Sequence, residues 1–92
     1  MGITTSSNPL QRVENKFLVS RLGADSVLMN TDSGDYLGLN EVGTRIWDLL
    51  SVPQSIDELV AALLNEYNVT DEQCRAEVNS FVSRMQEKGM LQ

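Results

Sequence analysis

The chain reads as an α+β domain in which three short antiparallel strands precede three helices. Three observations predict this. Short apolar runs bounded by turn residues fill the first forty positions, and helical spacing takes over after Asn40. Two helix-start boxes, Ser55-Ile56-Asp57-Glu58 and Thr70-Asp71-Glu72-Gln73, occur only in the second half. A chain of 92 residues makes one domain, and strands segregated from helices along it argue for α+β.

Residues 1–9 are small and polar and predict a flexible N-terminal tail, leaving 10–92 as the folded domain. Residues 10–22 carry Val13, Phe17 and Val19 on one parity and Leu18 and Leu22 on the other, a strand interrupted near Glu14-Asn15. Ser26 to Thr31 predicts a second strand. Thr31-Asp32-Ser33-Gly34-Asp35 is a hairpin turn, with Gly34 free to take positive φ. Tyr36 to Leu39 returns, with Leu37 and Leu39 on one face and Tyr36 and Gly38 on the other.

Asn40 is placed to cap the first helix, Glu41 to Ser51, whose stripe is Val42, Ile46, Leu49 and Leu50, flanked by Trp47. Pro53 ends it. Ser55 opens a second helix with the stripe Ile56, Leu59, Val60, Leu63, Leu64 and Tyr67, which Asn68 is placed to close. Thr70 opens a third, with Cys74, Val78, Phe81, Val82 and Met85 along one side. Gly89 stops it, and Met90 and Leu91 are expected to fold back onto the core. Three strands joined this way leave at least one sheet edge open.

The chemistry-bearing residues are few. No histidine is present, which removes His-based triads and the commonest zinc ligand. The single cysteine, Cys74, lies on an apolar stripe and reads as a buried structural thiol. Asp57-Glu58 and Asp71-Glu72 fall in first helical turns, where acids complement the helix dipole. Gly34, Gly38 and Gly43 are scattered over a turn, a strand and a helix and make no phosphate loop. The chain is therefore expected to be no enzyme and to carry no cofactor and no metal.

The net charge of −6 repels phosphate backbones, so nucleic acid is not an expected partner. No apolar run approaches the roughly 18 residues of a membrane span. The first residues lack the basic start and apolar centre of a signal peptide, and the expected location is cytoplasmic.

Leu22-Gly23-Ala24-Asp25-Ser26-Val27 resembles the modification site of acyl and peptidyl carrier proteins, in which a serine after Asp bears phosphopantetheine. In carriers a full helix precedes that serine and a long one starts at it. Here tail and strand precede Ser26, and Gly34 follows soon after. A phosphopantetheine carrier modified at Ser26 remains an alternative reading, as does a winged-helix DNA binder.

A second resemblance covers roughly residues 10–91. Val27-Leu28-Met29-Asn30, then Gly34-Asp35-Tyr36-Leu37-Gly38-Leu39-Asn40, then Gly43-Thr44-Arg45-Ile46-Trp47-Asp48-Leu49-Leu50 is similar to the PqqD-like family, also called RiPP recognition elements. The likeness continues through Ile56-Asp57-Glu58-Leu59 and Glu77-Val78 to Met85, Gly89, Met90 and Leu91. Asn30 and Glu77 stand where the family frequently has Asp.

The resemblance implies a winged-helix-like unit, a three-stranded antiparallel sheet followed by three helices. It implies non-catalytic binding of the leader region of a ribosomally synthesised precursor peptide. The peptide would add as a strand in the cleft between the third strand and the third helix. The implied site residues are Asp35, Tyr36, Leu37, Gly38 and Leu39 on the strand and Arg75, Val78, Asn79, Val82 and Met85 on the helix. Val78 and Val82 would floor an apolar pocket, and Arg75 and Asn79 would fix polar groups of the peptide. Leu37, Leu39, Val78 and Met85 equally fit a plain core, and Arg75 and Asn79 an ordinary surface. Trp47 fits either the core or a docking surface for a partner enzyme. A free-standing chain of this length resembles the leader-binding proteins of lasso peptide pathways, where the partners are a leader peptidase and a cyclase. A peptide chaperone for a radical enzyme in quinone cofactor synthesis is the nearest alternative.

Overall fold

The computed structural model describes residues 9–92, and all but Pro9 of the expected tail lies outside the described residues. The elements follow in the expected order: β1 Phe17–Leu22, β2 Asp25–Asn30, β3 Tyr36–Leu39, α1 Glu41–Leu49, α2 Ile56–Glu66 and α3 Asp71–Glu87. The sheet is antiparallel with the order β1-β2-β3, so β2 is central and β1 and β3 are its edges. Gly23 turns β1 into β2 at φ +65° and Gly34 closes the β2–β3 turn at φ +80°, conformations that cost glycine no steric penalty. The Asn30 side chain organises that second turn by accepting from the N–H groups of Asp32 (2.8 Å) and Ser33 (3.2 Å).

The strand expected over residues 10–22 is two separate segments. Asn15 sits at φ 68°, a left-handed turn that takes the preceding residues out of the sheet. Leu10 exchanges backbone hydrogen bonds with Gln54 (2.7 and 2.8 Å), and the Val13 N–H donates to Met90 (2.8 Å). Residues 10–13 thus strap the α1–α2 connection to the C-terminal residues.

Pleating gives the sheet two unlike faces. Ser26, Leu28 and Leu39 point into the core and are buried. The opposite face carries Leu18, Met29 and Tyr36 as one cross-strand row, with Leu18 at 59% and Tyr36 at 72% exposure.

The Asn40 side chain caps α1 by accepting from the Gly43 N–H at 2.9 Å. The buried face of α1 is Gly43, Thr44, Ile46 and Trp47, continued by Leu50, while Val42 and Leu49 are only partly covered. The face turned from the expected stripe because α1 packs on the sheet, where its neighbours are β2 and β3. Trp47 is a core residue, 3% exposed, and offers no surface for docking. Phe17 meets it edge-on at 5.9 Å, and the Arg12 guanidinium lies 5.1 Å from its ring centre.

Ser55 and Glu58 form a complete capping box on α2 (3.1 and 2.8 Å). Thr70 caps α3 by accepting from the Gln73 N–H (3.1 Å), without a reciprocal Gln73 bond among the described residues. α2 ends on Tyr67 in an extended conformation, so Asn68 does not close it with a left-handed turn. α3 ends as a Schellman motif. Gly89 takes φ +70° and donates to Gln86 (3.2 Å), while the Met90 N–H reaches back to Met85 (2.9 Å). That reversal drops Met90 into the core at 0% exposure.

Candidate functional site

Of the two sheet edges, β1 and β3, the one that borders a cavity with the end of α3 is β3. Asn30 N–H donates to Asp35 C=O at 2.8 Å, and the register pairs Leu28 with Leu37 and Ser26 with Leu39. In an antiparallel ladder hydrogen-bonded pairs alternate, so the backbones of Asp35, Leu37 and Leu39 face β2. The backbones of Tyr36 and Gly38 therefore face outward, with no strand beyond them among the described residues. Each offers one N–H and one C=O to an incoming chain.

Two cavities lie along α3, one reaching this edge and one between α3 and α1. One, about 270 Å³, is bounded by Asp35, Tyr36 and Leu37 on the β3 side and by Glu87, Lys88 and Met90 at the end of α3, with Phe17 and Leu28 beneath. The other, about 280 Å³, lies between α1 and α3. Asn40, Val42, Gly43 and Ile46 form its α1 wall, and Ala76, Glu77, Ser80, Phe81 and Arg84 form its α3 wall. Phe81 rests on Gly43 so closely that a Cβ there would come within 3.0 Å of its ring.

Of the strand residues singled out in the sequence, Asp35, Tyr36 and Leu37 line the first cavity. Gly38 lies on the free edge with open space around its Cα, and Leu39 is buried. The helix residues fall elsewhere. Val78, Val82 and Met85 are core side chains at 0%, 6% and 1% exposure, and none lines either cavity. Arg75 turns to the other flank of α3, donating to Asp57 (2.7 Å) and Asp71 (3.0 Å). Asn79 is exposed and lines neither cavity. The α3 residues that line the cavities are Ala76, Glu77, Ser80, Arg84 and Glu87 on the neighbouring face, with Phe81 from the edge of the apolar stripe and the C-cap Lys88. Their spacing of i, i+3, i+4 and i+7 from Glu77 to Arg84 was readable as a helix face. The sequence did not reveal which polar flank of the apolar stripe turns toward α1.

Ion pairs fix the frame around the cleft. Arg21 on β1 grips Asp48 on α1 with two bonds (2.6 and 3.1 Å), and Arg45 on α1 grips Glu66 on α2 (2.8 Å). Each arginine holds its carboxyl below the usual carboxylate range, chiefly through the hydrogen bond. Burial, with Asp71 and Glu77 nearby, pushes the Cys74 thiol up, which disfavours the nucleophilic thiolate. Among the described residues no group of His, Cys, Asp and Glu is arranged to hold a metal ion, and no helix is long and apolar enough to cross a membrane.

Ser26 does not fit the carrier reading. It is 1% exposed, lies within β2, and shares a hydrogen bond of 2.8 Å with Thr44 Oγ1. A phosphopantetheinyl transferase needs the serine hydroxyl in solvent, and this hydroxyl is sealed between sheet and helix.

The sequence model of the PqqD family, described as coenzyme PQQ synthesis protein D, matches residues 25–91. The chain belongs to the PqqD family. The match starts at β2 and runs through β3 and the three helices, so it contains both walls of the cleft. Two solved structures share the PqqD fold of this chain. One is TbiB1 in complex with the TbiA(beta) leader peptide, at 27% identity and a TM-score of 0.77, covering 89% of this chain and 95% of that one. The other is lasso peptide synthetase B1 complexed with the leader peptide, at 23% identity and a TM-score of 0.75, covering 90% and 96%. Comparison with curated proteins gives no significant match.

Proposed function

We propose that this PqqD-family chain is a non-catalytic module that binds the leader region of a ribosomally synthesised precursor peptide. The observation that carries the reading is the open edge at Tyr36 and Gly38 beside a cleft walled by α3. An extended peptide entering there gains backbone hydrogen bonds from the edge and side-chain contacts from the two cavities, the mode of strand addition. The structural neighbour at 27% identity is a leader-peptide complex and supports the same partner.

On the strand side the binding residues are Asp35, Tyr36, Leu37 and Gly38, with Leu39 anchoring the strand in the core. On α3, Val78, Val82 and Met85 act from the core beneath the wall formed by Glu77, Ser80, Phe81 and Arg84, while Arg75 and Asn79 meet the peptide only where it extends beyond the two cavities. Residues 10–92 form the binding domain. In a lasso peptide type of pathway the bound precursor would pass to a leader peptidase and a cyclase in the cytoplasm. The alternative destination is a radical enzyme in quinone cofactor synthesis, and the family's description as a coenzyme PQQ synthesis protein is the observation that keeps it open.

Titration of a labelled leader peptide from a precursor encoded beside this gene tests the reading. Saturable binding at micromolar concentration is expected. Folded protein that gives no saturable signal at tens of micromolar would sink it.

A further inference from the structure

Arg84 differs from every other arginine in the chain. Arg12, Arg21, Arg45 and Arg75 each contact a carboxylate at 2.6–3.0 Å. Arg84 makes no ion pair among the described residues, although the chain holds 13 acids against 7 bases. Its guanidinium lies 5.5 Å from the Phe81 ring centre, a stacking contact that steadies the group without neutralising it. The same side chain lines the cavity between α1 and α3.

That cavity combines an apolar wall with charges at two ends. Val42, Ile46 and Phe81 supply the apolar part, and Gly43 lets Phe81 approach α1 closely. Glu77 stands two turns before Arg84 on the same helix, about 10 Å away along the axis. An incoming acid is therefore repelled at the Glu77 end and attracted at the Arg84 end. The protein is acidic as a whole, so an unpaired guanidinium over the cleft is complementary to an anion that the chain itself does not supply.

We infer that the peptide bound in the cleft places an apolar side chain in the α1–α3 cavity and an acidic side chain against Arg84. Residues two apart on an extended strand share a face at about 7 Å spacing, so the acid lies two positions from the apolar anchor. Arg84 is then a specificity-determining residue. Its side chain donates charge-assisted hydrogen bonds to the peptide carboxylate, and its planar fork suits a two-point contact. The inference rests on the strand-addition reading above and goes further by naming the chemistry of the recognised sequence.

Selection from a display library of random peptides, on the unmodified protein and on Arg84→Glu in parallel, tests it. Arg84 is exposed, so the variant should fold, which circular dichroism checks. The unmodified protein should enrich peptides with Asp or Glu two positions from a large apolar residue. Arg84→Glu should keep the apolar residue and exchange the acid for Lys or Arg. A selected acidic peptide should lose roughly three- to tenfold in affinity on Arg84→Glu and recover with its acid changed to Lys. Binders without an acid preference, or one unchanged by Arg84→Glu, would overturn the inference and leave strand addition standing. If no peptide is enriched on the folded protein, both fail.

Discussion

A Cβ on Gly43 would lie 3.0 Å from Phe81 Cε1 and 3.3 Å from the Oδ1 of its own cap, Asn40. The pair sets how closely α1 and α3 approach at the floor of the second cavity. Gly43→Ala gains roughly 0.8–1 kcal/mol of helix propensity, but overpacking costs about 1–3 kcal/mol. We expect a net loss of about 1 kcal/mol by urea unfolding. Adding Phe81→Leu should make Gly43→Ala less costly than it is alone, because the atoms it strikes are gone. Equal costs in both backgrounds would mean that the clash is relieved elsewhere.

Ser26 and Thr44 make the buried polar link between the sheet and α1, at 2.8 Å, and Thr44 Oγ1 also reaches Leu39 C=O at 3.3 Å. Removing the Thr44 hydroxyl strands that of Ser26 away from water, whereas without Ser26 the Thr44 hydroxyl still donates to Leu39 C=O. Thr44→Val is expected to cost about 1–3 kcal/mol, and Ser26→Ala less, about 1 kcal/mol. The double variant should cost less than their sum, since the Ser26 hydroxyl that Thr44→Val leaves unpaired is then gone. Simple additivity in a denaturant cycle would show that the two hydroxyls do not depend on each other.

The carboxyls of Asp48 and Glu66 bind protons more weakly in the folded protein than in the unfolded chain. Their contribution is full above the unfolded value of about 4 and is lost as pH falls through and below it. Both partners of each pair are partly solvated, so each bridge contributes about 0.2–1 kcal/mol after screening. Asp48→Asn should therefore lower the urea midpoint at pH 7 and shrink the further drop on acidification to pH 3. An unchanged slope between those pH values would count against the Arg21 bridge.

Gly38 has its backbone on the free edge, and a Cβ added there would meet nothing within 4 Å. Gly38→Pro removes one outward donor and leaves the ladder to β2 intact, as proline on an edge strand allows. Leader binding should weaken about tenfold, the value of roughly one hydrogen bond left unmade. Gly38→Ala keeps the donor and should bind nearly as the unmodified protein does. If the two variants bind alike, the peptide does not pair with this edge.

Much of the fold was legible because local rules and the final structure agree. Asn40, Ser55, Thr70 and Gly89 mark helix ends through bonds that span only a few residues, so their neighbours suffice to identify them. The strap formed by residues 10–13 was not legible. Its hydrogen bonds go to Leu50, Gln54 and Met90, about forty to eighty positions away, and only Asn15 at positive φ detaches it from β1.

By itself the sequence determined the order of strands and helices, the open sheet edge and the absence of histidine chemistry. These follow from periodicity, caps and composition, all of which are local or additive. Tertiary structure alone decided which flank of α3 faces α1. A helix with Val78, Val82 and Met85 in the core has a polar flank on either side of that stripe. Packing against α2 draws Arg75 to Asp57 on one side and leaves Glu77, Ser80 and Arg84 over the cleft on the other. Spacing cannot make that choice, because it fixes angles around one helix axis and says nothing of where the other elements stand.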